Sequence, residues 1–180
     1  MKIRPIILCG GSGTRLWLNE KKHQAKQFID FGNWTLFGRV LERTKNALFD
    51  EPVISTNLNY LQEIKKHLKK HKIKKYKIIL EPVKMNTAPA VLSASLIKDI
   101  PNKQPLLFLS ADHLIEKEEL FIKEIKKNQI NLTDKNIFIF GIKPTSISSE
   151  YGYFFTKKNK KINQVTKFIE KPSIVRAKKI

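Results

Sequence analysis

Short, continuous apolar runs recur along this chain, and their alternation with helical patterns constrains the fold more than any other feature. The runs lie at residues 3–9, 52–55, 77–80, 106–109 and 137–142. Because they are continuous and not alternating, they are typical of strands in a parallel sheet that helices cover on both faces. The sequence therefore predicts an α/β fold with a doubly wound sheet.

Helical patterns fill the segments between these runs. Apolar residues recur there at three- and four-residue spacing, which predicts amphipathic helices. The residues that carry the patterns are Leu36, Val40, Leu41, Thr44 and Leu48; Leu61, Ile64 and Leu68; Val91, Ser95 and Leu96; and Leu120, Ile122 and Ile125.

The pattern changes after residue 141. Residues 153–156 and 162–170 flank the polar turn 157–161, which predicts an antiparallel pair of strands, and a helix is expected after Pro172. No Pro- or Gly-rich linker marks a boundary. With 180 residues, of which 41% are hydrophobic, the chain is long enough for a core, and we expect one domain over 1–180 with no second domain.

The net charge of +19 says little about partners. Five of the 35 basic residues are arginines, so 30 are lysines, many of them in the stretches 65–77 and 157–161. Proteins that read bases rely on arginine forks, so these lysines favour a solvated surface and no specific nucleic-acid partner. A basic nucleic-acid-binding module stays an alternative.

Cysteine content and hydropathy indicate the compartment. Cys9 is the sole cysteine, which excludes an intrachain disulfide and fits a reducing cytosol. No apolar run approaches the roughly twenty residues of a membrane span. We therefore expect a soluble, cytoplasmic protein with no membrane partner.

A glycine-rich loop follows the first apolar run. Its residues are Gly10, Gly11, Ser12, Gly13, Thr14 and Arg15. Glycine allows positive φ and close backbone approach, so successive amides can point at a phosphate, to which an arginine adds a fixed charge. The spacing fits neither the G-x-G-x-x-G fingerprint nor the P-loop. A plain tight turn is the alternative to an anion-binding loop.

Residues 10–17 together with Lys26-Gln27-Phe28 resemble the signature of mannose-1-phosphate guanylyltransferases, also called GDP-mannose pyrophosphorylases. The resemblance implies transfer of GMP from GTP to mannose-1-phosphate, which gives GDP-mannose and pyrophosphate. It implies a Rossmann-like, mostly parallel sheet with helices on both faces, the nucleotide-diphospho-sugar transferase fold. In such a family Arg15 would hold the triphosphate, and Lys26 would reach the phosphates at the reacting centre.

Two further matches extend this resemblance to a nucleotide pocket and a metal. Glu81 and the pair Asn86-Thr87 match family elements that line the pocket, although Asn86 or Thr87 could instead be a simple helix N-cap. Asp112, after the fourth run, matches the metal-binding Asp-His element, and Mg²⁺ is the implied cofactor. A capping or turn aspartate is the alternative, and His113 is expected to be structural.

The last matches concern the sugar phosphate. The resemblance implies that Gly152 lets the sugar approach the backbone and that Glu170 and Lys171 meet its hydroxyls and phosphate. An exposed pair at a strand end is the alternative for Glu170 and Lys171. The matches span residues 3–177 in family order.

Family domains continue well beyond this length, so we expect a fold incomplete at the C-terminus and activity impaired by truncation. The rest could be encoded separately, or the chain could form an oligomer. The alternative function is a catalytically inactive nucleotide-binding fragment or regulatory partner. Residues 18–20 and Ala25 replace prolines and a serine that the family usually carries, which would loosen a loop needed for in-line geometry.

Overall fold

A computed structural model describes residues 1–11, 25–83, 86–157 and 162–179. They form two compact units, Met1–Asp134 and Lys135–Ile180. The first unit contains a four-stranded sheet and the second a two-stranded sheet. Whether residues 1–180 fold as one domain stays a prediction. In the part of the chain that the structure describes, no helix is both long and apolar enough to cross a bilayer.

The first unit alternates strands and helices as predicted. Each helical pattern found in the sequence overlaps one of its helices, and the first four apolar runs become strands. The elements, in chain order, are β1 (Arg4–Cys9), α1 (Leu36–Thr44), β2 (Val53–Thr56), α2 (Leu61–Lys70), β3 (Lys77–Leu80), α3 (Thr87–Ser95), β4 (Leu106–Ser110) and α4 (Glu118–Asn128).

The four strands are parallel and lie in the order β3-β2-β1-β4. The register aligns Cys9 of β1 with Thr56 of β2, and Thr56 with Leu80 of β3. On the other side of β1, Leu8 is aligned with Ser110 of β4. The residues that follow each strand therefore meet at one edge of the sheet, where ligands bind in open α/β folds.

Helices cover both faces of this sheet. Neighbouring residues of β1 point to opposite faces, so Ile7 packs in one cluster and Ile6 in another. The Ile7 cluster contains apolar side chains of α1 and α2, among them Phe37 and Leu68. The Ile6 cluster contains Ala94 of α3. The α/β fold with a parallel sheet between helices is confirmed.

A polar network closes the amino end of the sheet. Arg4 donates to Asp50 Oδ2 at 2.7 Å, to the Glu51 carbonyl at 2.8 Å and to Gln104 Oε1 at 3.3 Å. Gln104 Nε2 also donates to Asp50 Oδ2 at 2.8 Å. The bond from Gln104, the Glu51 N–H and the charge of Arg4 lower the pKa of Asp50 below its ordinary value, against the opposite effect of partial burial.

The second unit contains the predicted antiparallel pair, β5 (Tyr153–Lys157) and β6 (Gln164–Ile169), followed by the short helix α5 (Ile174–Ala177). The strand predicted at 137–142 is wrong, because these residues lie in neither a helix nor a strand. Ile137 and Ile142 are 95% and 90% exposed. An apolar run becomes a strand only where a neighbour satisfies its backbone groups, and β5 and β6 pair with each other.

Candidate functional site

Polar residues converge at the carboxyl edge of the four-stranded sheet. Gly10 and Gly11 follow β1, Asn57 follows β2, Glu81 follows β3, and Asp112 lies two residues after the end of β4. In the sheet order, the loop after β1 has the ends of β2 and β3 on one side and the end of β4 on the other. Backbone, amide and carboxylate groups are therefore gathered along one edge of the sheet.

Glu81 is held beside the glycine loop. Its N–H donates to the Thr56 carbonyl at 2.7 Å, and its Oε1 accepts from Ser55 Oγ at 2.6 Å. A Cβ on residue 10 would lie 3.3 Å from Glu81 Oε2, closer than most real Cβ contacts. Glycine at position 10 therefore lets a carboxylate approach the loop, which places Glu81 at the predicted nucleotide site.

Lys26 and Asp112, both predicted as catalytic residues, lie together. Lys26 Nζ is 3.7 Å from Asp112 Oδ2, and Ser110 Oγ donates to Asp112 Oδ1 at 2.6 Å. The Lys26 and Asp112 side chains are 33% and 35% exposed, so a ligand can reach both. Lys26 begins a short 3₁₀ turn, Lys26–Phe28, whose Phe28 is buried in the core. The turn fixes the lysine next to the carboxylate.

Asp112 fits one mode of Mg²⁺ binding. Among the described residues, no group of three or more His, Cys, Asp or Glu side chains could hold a metal ion. Mg²⁺ in nucleotide enzymes is commonly held by one or two carboxylates, with phosphates and water as the other ligands. A single strand-end carboxylate suits that mode, in which the substrate completes the metal's coordination.

Cys9, at the end of β1, carries a buried thiol with a raised pKa. Burial raises the pKa of its thiol to about 12, and the charges of Asp112 and Glu81 act in the same direction. Gln27 Nε2 lies 3.7 Å from Cys9 Sγ and has a smaller, opposite effect. The thiolate is the nucleophilic form, so burial disfavours the reactive state of Cys9.

Asn86 and Thr87 lie at the start of α3, both exposed. Asn86 occupies the N-cap position of α3, as the N-cap alternative predicted, but it has φ 64° and its side chain makes no capping bond. Positive φ is uncommon outside glycine, although asparagine tolerates it better than most residues. The positive φ of Asn86 sets the direction in which the backbone enters α3.

The three residues predicted to hold the sugar phosphate lie together in the second unit. A Cβ on Gly152 would collide with the Phe168 ring and would lie 2.8 Å from Glu170 Oε2. Lys171 has φ 42°, and its N–H donates to the Tyr151 carbonyl at 3.2 Å. The end of the β5–β6 hairpin therefore brings Gly152, Glu170 and Lys171 into one small region.

Some predicted residues lie outside the described part of the chain, and others were missed. Ser12, Gly13, Thr14 and Arg15 fall between the described ranges 1–11 and 25–83. Sequence reasoning gave no role to Ser55, Asn57 or Ser110. The available signal was their position, since each is a polar residue at the end of an apolar run.

Comparison with known proteins agrees with this geometry. A family model described as Nucleotidyl transferase matches residues 4–180. The chain belongs to the nucleotidyl transferase family. Mannose-1-phosphate guanylyltransferase of Salmonella muenchen is 32% identical over 177 residues, which are 95% of this chain and 37% of that protein. Alginate biosynthesis protein AlgA of Pseudomonas fluorescens is 31% identical over 179 residues, with 96% and 37% covered.

Solved structures agree at the level of the fold. The crystal structure of mannose-1-phosphate geranyltransferase from Thermus thermophilus has a TM-score of 0.82 and 26% identity, covering 99% of this chain and 53% of that one. The resemblance to mannose-1-phosphate guanylyltransferases is thus confirmed. This member of the nucleotidyl transferase family spans little more than a third of the length of the curated relatives that it matches.

Proposed function

We propose that the protein transfers GMP from GTP to mannose-1-phosphate, giving GDP-mannose and pyrophosphate. The observation that carries the proposal is the Lys26–Asp112 pair, 3.7 Å apart beside the Gly10–Gly11 loop and Glu81. This arrangement supplies a cation, a metal-binding carboxylate and backbone amides at one edge of the sheet. The printed names of the relatives supply the choice of sugar and base.

In this proposal the residues position and neutralise the substrates. Lys26, with Arg15, offsets phosphate charge, while Glu81 accepts N–H donors of the nucleotide. Asp112 would hold Mg²⁺, which would neutralise charge on the phosphates when bound. The sugar phosphate attacks the α-phosphorus and pyrophosphate leaves. Because the attacking phosphate is already an anion, no side-chain base is required.

Gly152, Glu170 and Lys171 are proposed to receive mannose-1-phosphate. The exposed Gly152 lies beside the Glu170 carboxylate, which can accept hydrogen bonds from sugar hydroxyls, and the Phe168 ring packs against the same glycine. Lys171 adds a cation for the phosphate. AlgA is named for alginate biosynthesis, so we propose a role in supplying sugar nucleotide for polysaccharide in a cytoplasmic setting.

The binding half of the proposal is tested with GTP and GMP, each with and without Mg²⁺, by calorimetry. Lys26→Ala is expected to weaken GTP binding about tenfold and GMP binding less, since a lysine contacts phosphates and not the base. Lys77→Ala is the matched control, because Lys77 also pairs with an aspartate, Asp99, at 2.6 Å, away from the site. Equal losses for GTP and GMP would contradict the phosphate role, and no binding by the wild-type chain would reject the proposal.

Turnover is a separate question from binding, and a nucleotide-binding partner without turnover is the second candidate function. Pyrophosphate release from GTP and mannose-1-phosphate separates the two candidates: a rate at least about 10³-fold below that of a full-length relative, equivalent to roughly 4 kcal/mol of transition-state stabilisation, would favour the second. Exposed Leu92 on α3 and Leu96 at its end suggest self-association or a separately encoded partner, which sedimentation would detect. Full turnover by a monomer would contradict the second candidate function and the expected association.

A further inference from the structure

Side-chain donors bind three consecutive carbonyls at the start of the glycine loop. Thr56 Oγ1 donates to the Cys9 carbonyl at 3.0 Å, and Asn57 Nδ2 donates to the Gly10 carbonyl at 3.5 Å. Gln27 Nε2 donates to the Gly11 carbonyl at 3.2 Å. We call Gln27, Thr56 and Asn57 the carbonyl clamp. Its members come from two separate segments, one at the end of β2 and one in the 3₁₀ turn of Lys26.

Burial and a neighbouring hydrogen bond hold the donor groups of the clamp in place. Thr56 is fully buried and Gln27 is 3% exposed, so neither donor can turn to bulk water. Asn57 Oδ1 accepts the Asn59 N–H at 3.0 Å, which leaves its NH₂ group to face Gly10. A buried donor is stable only when it is bonded, so the clamp and the loop carbonyls satisfy each other.

The direction of these carbonyls decides what the loop can bind. A trans peptide is planar, so its C=O and the next N–H point to opposite sides. With the Gly10 carbonyl turned toward Asn57, the Gly11 N–H points away from it. A carbonyl that faced a bound phosphate would repel it, whereas an amide would attract it.

We propose that Gln27, Thr56 and Asn57 are positioning residues that hold the carbonyls of the glycine loop away from the phosphate site. Gln27 has a second effect, because it joins the loop to the turn that carries Lys26. The inference rests on the proposed function for its ligand, a nucleoside triphosphate or pyrophosphate. The hydrogen bonds themselves can be tested without any ligand.

The first test removes one hydroxyl without changing shape. Thr56→Val is expected to weaken GTP and pyrophosphate binding about fivefold, the affinity equivalent of one net hydrogen bond, and Thr56→Ser is expected to restore it. Thr44→Val is the control, since the buried Thr44 hydroxyl donates to the Leu41 carbonyl at 2.8 Å in α1. A merely structural role would lower stability in both valine variants and leave GTP affinity unchanged. Unchanged affinity in Thr56→Val would overturn the inference and leave the proposed function intact.

The second test observes the loop directly in the full chain. In Gln27→Met, which keeps the length of the side chain and loses the donor, we expect the carbonyl ¹³C resonance of Gly11 to move and GTP affinity to fall. An unmoved Gly11 resonance would overturn the clamp, whatever the ligand results. If the wild-type chain binds neither GTP nor pyrophosphate, the proposed function and the phosphate role of the clamp both fail, while a moved resonance would still establish the hydrogen bond.

Discussion

The two ends of the four-stranded sheet use similar polar residues for opposite purposes. At the amino end, the three donor groups of Arg4 contact Asp50, Glu51 and Gln104, and its side chain is 9% exposed. At the carboxyl end, Lys26 and Asp112 lie 3.7 Å apart, and about a third of each side chain is exposed. The amino-end groups satisfy one another, whereas the carboxyl-end groups keep surface for a ligand.

Strand direction explains this difference. In a parallel α/β sheet the chain leaves each strand at the carboxyl end and enters a loop and a helix N-terminus, so free amides gather there. The amino end receives chain from helix C-termini and offers no such donors. The same types of ion pair therefore contribute to stability at one end and are available for binding at the other.

Arg4→Met should produce the largest effect, on stability alone. Removing the buried guanidinium, which makes three hydrogen bonds to partly exposed partners, should lower the free energy of unfolding by about 3 kcal/mol. Urea denaturation measures this loss, and GTP affinity measured below the transition should not change. A parallel loss of GTP affinity would show that the two ends are coupled.

Asp112→Asn should produce the reverse result. We expect Mg²⁺-dependent GTP affinity to fall by about 30-fold, within the range known for changes beside metal sites, while stability changes by less than about 0.5 kcal/mol. Asp99→Asn is the control, because Asp99 also pairs with a lysine. An unchanged Mg²⁺ dependence in Asp112→Asn would remove the metal assignment.

The smallest expected effect is the pH dependence of stability that arises from the buried Cys9 thiol. Because the pKa of Cys9 is raised from 9.0 to about 12, both states keep the thiol protonated below pH 9. Above pH 9 the unfolded chain releases this proton, whereas the folded chain keeps it. The free energy of unfolding therefore falls as the pH rises from about 9 toward 12. Between about pH 8 and pH 10 the wild type should lose about 1 kcal/mol more than Cys9→Ala in urea denaturation. Identical losses would contradict burial of the thiol.

The sequence predicted strands correctly for the apolar runs that pair with neighbouring strands. The runs at 3–9, 52–55, 77–80 and 106–109 became β1 to β4 with small shifts at their ends. The run at 137–142 has the same character and forms no strand, since composition does not specify a pairing partner. The apolar pattern of a segment predicts that it can be buried. Whether it forms a strand depends on a pairing segment that lies elsewhere in the chain.

The site was predicted from short motifs and not from its contacts. Lys26, Glu81 and Asp112 were identified because they match family elements. The roles of Gln27 and Asn57 were missed because their carbonyl partners lie 16 and 47 positions away along the chain. Arg4 was missed for the same reason, since its bond to Gln104 spans 100 positions. Hydrogen bonds between distant segments are set by tertiary packing, which a linear pattern does not record.

The central place of β1 has a consequence for synthesis on the ribosome. β1 is made before the other strands of its sheet, yet one of its two neighbours, β4, begins only at Leu106. The 50 positions between Thr56 and Leu106 take roughly 2.5 to 10 s to translate at about 5–20 residues per second. Throughout that interval the nascent chain exposes one edge of β1, the strand that contributes Ile6 and Ile7 to the two core clusters, so this is the period in which chaperones are most needed.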